Sequence, residues 1–441
     1  MKLEDMILVS VDDHIVEPGD MYKNHLPAEW QDKAPYMRKD ENGADYWVFD
    51  GQRAGAVGLN AVVGRPKEEY GCEPAAFDQM REGAYNIHHR IDDMNVNGIL
   101  ASINFPSVVS FDGSKFMSFK DPAVGLRMLQ AYNDWHIDEW CGAYPGRNIP
   151  VALVPFWNPE EAAREIERVA KKGARTITMC DNPTIHGLPS IHNEAYKPMW
   201  KALADNNVVI SNHIGSGTPA PHASMETPID AWIVTMPMAI ANSTADWLNL
   251  KAVTDYNLKI CLSEGGIGWI PYFLERADFT YQQHSAWTNS SYNGMLPSEL
   301  FRKHFMTCFI DDAFGLQNVE HVGEDIISYE CDYPHSDCLW PEAPERLYET
   351  IKHLTDTQIE KITHVNALRF FDYDAIGIVG GREKSTVGAL REAAKNVDIS
   401  TRSFGGPAPL EAGEVARRVT SGDIIRMMTE VAKKDGVLAD A

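Results

Sequence analysis

Two rhythms of apolar and polar positions alternate along the chain. Short runs of apolar, largely β-branched residues read as buried strands, and the longer stretches between them repeat their apolar positions every three or four residues, as one helix face does. The strand-like runs fall at Val9 to His14, Ile99 to Ile103, Ile149 to Val154, Thr176 to Met179, 208–212, 258–263, Phe305 to Ile310 and 326–331. Helical periodicity occupies Tyr85 to Asn97, about 121–141, 194–206, 229–255, 271–284 and 342–373. The clearest helix start is Asn158 as N-cap with Pro159 at the first helical position and Glu161 three after the cap; Ala162, Ile166, Val169 and Ala170 share one face before Gly173. The strand at Thr176 follows at once, which is the order of a parallel crossover unit. Eight such strands predict an α/β fold, a closed (β/α)8 TIM barrel, with an open doubly wound sheet as the alternative.

The pattern also sets the domain organisation. Residues 1–375 read as one barrel domain with an insertion at about 20–84, where Tyr46 to Arg53 resembles a hairpin turning at Asp50-Gly51 and the whole reads as a lid or side wall beside the mouth. The helical residues 342–373 are expected to cover the barrel, with Phe370, Phe371 and Tyr373 packing against it. Beyond them, residues 376–441 form a C-terminal extension punctuated by Gly377 to Gly381 and Gly405 to Pro409 and ending in an amphipathic helix at about 412–434. Such a tail reads as an arm that packs on the same or a neighbouring subunit, in a homo- or hetero-oligomer.

Composition narrows the partners. Forty basic against sixty-three acidic residues give a formal charge of -23, which argues against nucleic acid and anionic lipid. No apolar run approaches the roughly 20 residues of a membrane span, and the amino terminus lacks the basic-then-apolar order of an export signal. Seven scattered cysteines, at 72, 141, 180, 261, 308, 331 and 338, contain no C-x-x-C pair, so a reducing, cytoplasmic setting is expected.

Chemistry concentrates at the strand ends. The first strand ends in Asp12-Asp13-His14, where alternation sends Asp12 and His14 to one face and Asp13 elsewhere. The fifth ends at His213, the sixth at Glu264, and the eighth delivers Asp332 with His335 just beyond. Three carboxylates and three imidazoles at the C-terminal ends of barrel strands are a ligand set for a divalent metal, and charged groups are rarely buried without partners. Zinc, manganese and iron all fit, as one or two ions per chain. Glu264, among Gly265, Gly266 and Gly268, is read as a bridge to a second metal, a general base, or a helix-start cap. His335 is read as a ligand, a proton shuttle or a partner of Asp337. A bound ion would activate water or polarise a small-molecule substrate, giving hydrolysis or decarboxylation and leaving redox chemistry open. His88, His89, His186, His192 and His222 read as solvated; no dinucleotide fingerprint, Walker loop or G-x-S-x-G elbow is present.

Three stretches carry a resemblance: Ser10-Val11-Asp12-Asp13-His14-Ile15-Val16-Glu17-Pro18, Ser263-Glu264-Gly265-Gly266-Ile267-Gly268-Trp269-Ile270-Pro271 and Cys331-Asp332-Tyr333-Pro334-His335. In this order they resemble the amidohydrolase-related family that includes aminocarboxymuconate semialdehyde decarboxylase, over about residues 5–375. The resemblance implies a distorted barrel with metal held by Asp12, His14, His213 and Asp332; the residues themselves add the expectation that Glu264 and His335 handle protons, which with Asp332 makes the expected catalytic set. The chain departs from the family in two places: the first-strand pair is Asp-x-His, and Glu264 stands where the decarboxylases carry a catalytic histidine. The expected activity is hydrolysis or decarboxylation of a small organic acid or amide-like substrate. The alternative is an oxygen-activating monooxygenase with a dinuclear iron or manganese-iron centre, as in some relatives on this scaffold. A third reading is a non-catalytic subunit docked through its tail.

Overall fold

Each apolar run becomes a strand. In the computed structural model, which describes residues 1–405 and 416–426 apart from positions 56, 72 and 222, the chain opens with β1 (Leu8–His14). An antiparallel trio follows, β2 (Tyr36–Lys39), β3 (Asp45–Phe49) and β4 (Gln52–Arg53). The remaining strands are β5 (Ile99–Phe105), β6 (Val151–Leu153), β7 (Thr176–Thr178), β8 (Val209–His213), β9 (Ile260–Ser263), β10 (Phe305–Phe309) and β11 (Ile327–Tyr329). Eight of them form one parallel sheet in the order β5, β1, β11, β10, β9, β8, β7, β6. The last gap is spanned by a parallel bridge between Ser102 and Asn148, where Ser102 N donates to Arg147 O (3.1 Å) and Ile149 N to Ser102 O (2.9 Å). That bridge closes the barrel, as the eight-strand pattern predicts.

Every barrel strand is buried along its length, the signature of a parallel sheet covered on both faces. Inside, Val9, Val11, Ile103, Val209, Met306 and Cys308 stack above Ala367, Phe371 and Leu390, which plug the N-terminal end. Outside, helix Pro159–Lys172 presents Ala162, Ile166 and Val169 to the sheet. It is capped by the Asn158 side chain accepting from Glu161 N at 3.3 Å and ended by Gly173 at φ +106°.

Some elements differ from the periodicity. The stretch 229–255 is three helices, Ile229–Thr235, Pro237–Leu248 and Lys251–Asp255, because Pro237 has no N–H to continue the first and Leu250 is extended. The helix expected over 271–284 runs Ile270–Thr288, and a further helix, Pro297–His304, precedes β10.

The insertion is a wall of the mouth. Its hairpin turns at Asp50 (φ +47°) and Gly51 (φ +80°), a pair of left-handed residues that matches strand twist. Val62 N and Val63 N both donate to Pro334 O (3.1 and 3.0 Å), so the insertion grips the loop after β11.

The described part of the extension lies against its own barrel. Val387 N donates to Met6 O (2.8 Å), Phe404 N to Glu69 (2.9 Å), and residues 416–426 pair with the crossover after β8 through Ile229 N to Val419 O (2.9 Å). Residues 421–426 are helical, but 416–420, inside the helix expected at 412–434, are not, because Val419 and Thr420 pair with the backbone at Pro228 and Ile229; residues 412–415 and 427–434, and Gly406 to Pro409, lie outside the described residues. Among the described residues no helix is long and apolar enough to cross a membrane.

Candidate metal centre

The ends of β1 and β11 are stitched together before any ligand is considered. Asp332 N donates to Asp12 O (2.8 Å), His14 N to Tyr333 O (2.6 Å), and Tyr333 N to the Asp13 carboxylate (3.1 Å). Asp13, which also accepts from Ser10 Oγ at 3.1 Å, therefore points away from its neighbours and braces the loop. Asp332 (φ +57°) and Glu264 (φ +60°) both hold left-handed backbone without being glycine, a strain of about 1–3 kcal/mol each that surrounding structure must impose. For Glu264 the restraint is visible: its N–H donates to the buried Glu330 carboxylate at 2.9 Å.

The side chains converge on one point. His14 Nε2 lies 3.5 Å from Asp12 Oδ1, 3.4 Å from Asp332 Oδ1 and 3.1 Å from His213 Nε2. His213 Nε2 is 3.3 Å from Asp12 Oδ2 and 3.4 Å from Glu264 Oε2. Ligands bonded at about 2.0–2.2 Å to a common ion sit about 3.0–3.5 Å apart, so these separations are the edges of a coordination polyhedron. His213 Nδ1 donates to Ile214 O, which leaves the Nε2 lone pair for the centre. His335 stacks on His14 with ring centroids 3.9 Å apart and brings Nδ1 within 2.9 Å of Asp332 Oδ1.

Charge makes the same demand. Asp12 and Asp332 are buried, and among the described residues no oxygen of either carboxylate has a hydrogen bond of good geometry, the His335 Nδ1 contact at 2.9 Å being a close approach only. Burial pushes both carboxyls well above the usual range, helped by Asp13 for the first and by Glu264 and Asp12 for the second. Burial likewise raises Glu264 to about 8, with Asp12 and Glu330 adding to it and His213 opposing, and raises Glu330 to about 8 with help from Asp12. Burial lowers His14, and lowers His335 to about 3, so the imidazoles are neutral donors of lone pairs. A divalent cation would supply what this cluster lacks.

The sequence profile of the amidohydrolase family matches residues 84–373, the larger part of the chain. The chain belongs to this family. The matched stretch of this amidohydrolase carries His213, Glu264, Asp332 and His335; Asp12 and His14 precede it, across the insertion. The chain is 22% identical over 365 residues to a 2-amino-3-carboxymuconate-6-semialdehyde decarboxylase of Dictyostelium discoideum, covering 80% of this chain and 91% of that one. Its fold is similar to an amidohydrolase from Mycobacterium avium subsp. paratuberculosis (TM-score 0.63, 19% identity, 83% of this chain and 99% of that one). It is also similar to 5-carboxyvanillate decarboxylase from Novosphingobium aromaticivorans, solved with manganese and 4-hydroxy-3-methoxy-5-nitrobenzoic acid (TM-score 0.58, 16% identity, 84% and 99%).

All six residues singled out in the sequence of this amidohydrolase meet at the barrel mouth, and the carboxylate beside His335 is Asp332. The other histidines lie elsewhere. His88 meets Tyr144 Oη (2.9 Å), His89 pairs with Glu82 (2.7 Å) and His192 with Asp246 (2.7 Å), all exposed, and His222 is outside the described residues. His186 is only partly exposed and faces Asp112 at 3.7 Å, beside Cys180. Two contributors escaped the sequence reading. Glu330 stands two residues before Asp332, and the strand alternation applied to Asp12 and His14 could have found it. Phe111, whose ring lies 5.0 Å from His14 and 4.4 Å from His213, comes from a loop with no such signal.

Proposed function

We propose that this amidohydrolase is a metal-dependent carboxy-lyase acting on a small organic acid, with hydrolysis of an amide-like substrate available to the same centre. One observation carries the reading: the buried carboxylates of Asp12 and Asp332, without a well-formed hydrogen bond among the described residues, share a point with His14 and His213 at ligand-ligand distances of 3.1–3.5 Å. Those four residues would hold the ion, and manganese is the first candidate, given the mixed oxygen and nitrogen donors and the manganese in the 5-carboxyvanillate decarboxylase. A bound divalent ion supplies a Lewis acid that draws electron density from a substrate oxygen.

The chain's own groups would do the rest. His213 is fixed in tautomer by Ile214 O, and Phe111 packs across His14 and His213 to shield them from water. Glu264 and His335 flank the centre on its His213 and Asp332 sides. In the decarboxylation the carbon–carboxyl bond breaks, its electron pair stays on carbon, and Glu264 gives that carbon a proton as CO2 leaves; water then reprotonates Glu264.

A second reading rests on Glu264 as a third carboxylate. Asp12, Glu264 and Asp332, all ionised, outweigh one divalent cation by one charge, and a second divalent iron or manganese would more than offset that, leaving one positive charge for an anionic ligand in an oxygen-activating centre. The experiment is CO2 release from a panel of hydroxylated aromatic acids by manganese-loaded protein, with and without oxygen, alongside a count of metal per chain. Oxygen-independent release with one ion, abolished in Asp332→Ala, supports the carboxy-lyase. Oxygen-dependent turnover with two ions transfers the assignment to the monooxygenase, and turnover undiminished by metal removal would refute both.

A further inference from the structure

The residues that follow His213 line a largely apolar pocket that is partly open to solvent. Ile214, Gly215, Trp232, Met236, Ala239 and Ile425 line a cavity of about 310 Å³, and no side chain of its lining carries a charge. The lining is tied through the chain to two candidate ligands. Ile214 and Gly215 come directly after His213, and Ile240, the neighbour of Ala239, packs against Gly265, the residue after Glu264.

One wall comes from the far end of the chain. Ile229 N donates to Val419 O (2.9 Å), Ser421 N to Thr227 O (2.8 Å) and Gly422 N to Met225 O (2.9 Å), and Arg418 pairs with Asp230 at 3.2 Å. A Cβ at Gly422 would stand 2.8 Å from Met225 O, so glycine allows the close approach that delivers Ile425 to the cavity. Residues 416–426 thus dock on the barrel mouth of their own chain.

We propose that this cavity receives the apolar body of the substrate, and that the C-terminal segment 416–426 is a wall of the substrate site. The inference rests on the metal-centre reading above and adds the substrate class: an acid or amide whose polar end reaches the centre and whose other end is an uncharged hydrocarbon group. A charged or strongly polar group would lose its hydration in this lining without a partner, whereas a hydrocarbon group gains from leaving water. A dry cavity of about 150 Å³ holds benzene, so this one has room for a group of about bicyclic size.

The test uses the full chain and the neutral fluorescent probe N-phenyl-1-naphthylamine. Binding should saturate at one probe per chain and persist after the metal is stripped, which separates failure of this inference from failure of the metal reading. Ala239→Phe fills the cavity and Ile425→Asp places a charge in its wall; each should weaken binding about tenfold or more, roughly 1.4 kcal/mol. Val234→Asp, on the exposed side of helix Ile229–Thr235, should leave binding unchanged and so reports adsorption to the outer surface. If Ala239→Phe fails to fold by circular dichroism, Ile425→Asp decides. Absence of saturable binding, indifference to the cavity variants, or equal loss in Val234→Asp would overturn the proposal.

Discussion

Stripping the metal at two pH values exposes the charge stored at the barrel mouth. Without a cation, Glu264 and Glu330 have carboxyls raised from 4.5 to about 8 by burial and by neighbouring carboxylates. Each folded value lies above the unfolded one, so the folded chain binds the extra proton between them and stability falls as pH rises through that window. Between pH 6 and pH 8 one such group costs about 2 kcal/mol, and both together at most about 5, since they repel each other. An unfolding entropy of about 2.1 cal/mol/K per residue over a chain this long converts that into a fall of about 3–5 °C in Tm. A bound divalent ion would lower both values and shrink this slope, while Glu264, which is not among the four ligands, stays able to give and take a proton. Asp13 and Glu17, raised by burial to about 6 and about 7, titrate in both forms, so the difference between apo and loaded protein is the signal. Thermal unfolding followed by circular dichroism, after chelation and after manganese is restored, reads it directly. Equal slopes in the two forms, or an apo Tm that rises with pH, would refute the reasoning.

Other perturbations separate the roles of individual residues. Asp332→Asn keeps the shape and removes a ligand charge, and should lower manganese affinity by more than the roughly 10–100-fold typical of residues that only orient ligands, measured by titration against a competing chelator. Glu330→Ala leaves the Glu264 N–H without its acceptor and should cost about 1–3 kcal/mol in denaturant unfolding while weakening metal binding less than Asp332→Asn does. Gly51→Ala has open space around it but sits at φ +80°, so it should cost about 1 kcal/mol of stability and leave turnover unchanged in steady-state assays.

The barrel was legible because its strands are two-sided: continuous apolar runs that stop at Asp12, His213, Glu264 and Asp332 advertise both a buried strand and its chemical end. The hairpin was legible because Asp50-Gly51 fits left-handed backbone that few other pairs accept. What escaped depends on long-range pairing. The break at Pro237 interrupts a stretch whose apolar periodicity continues through it, and β2 is mostly exposed, so its pairing with β3 leaves no hydrophobic alternation to read. Glu330 could be reached by alternation from Asp332, but its part in holding Glu264 shows only once Glu264 N is found against it. The docking of Val419 and Ser421 on Thr227 to Ile229 is mainly a backbone contact between segments nearly two hundred residues apart, and the Arg418–Asp230 pair beside it is one of many possible charge pairings in the sequence.

The most direct measurement is anomalous diffraction at the manganese edge from crystals of the loaded protein. A peak bounded by Asp12, His14, His213 and Asp332, with bonds near 2.0–2.2 Å, is the predicted result. Ordered side chains with no peak among them, or manganese bound only elsewhere, would contradict the account.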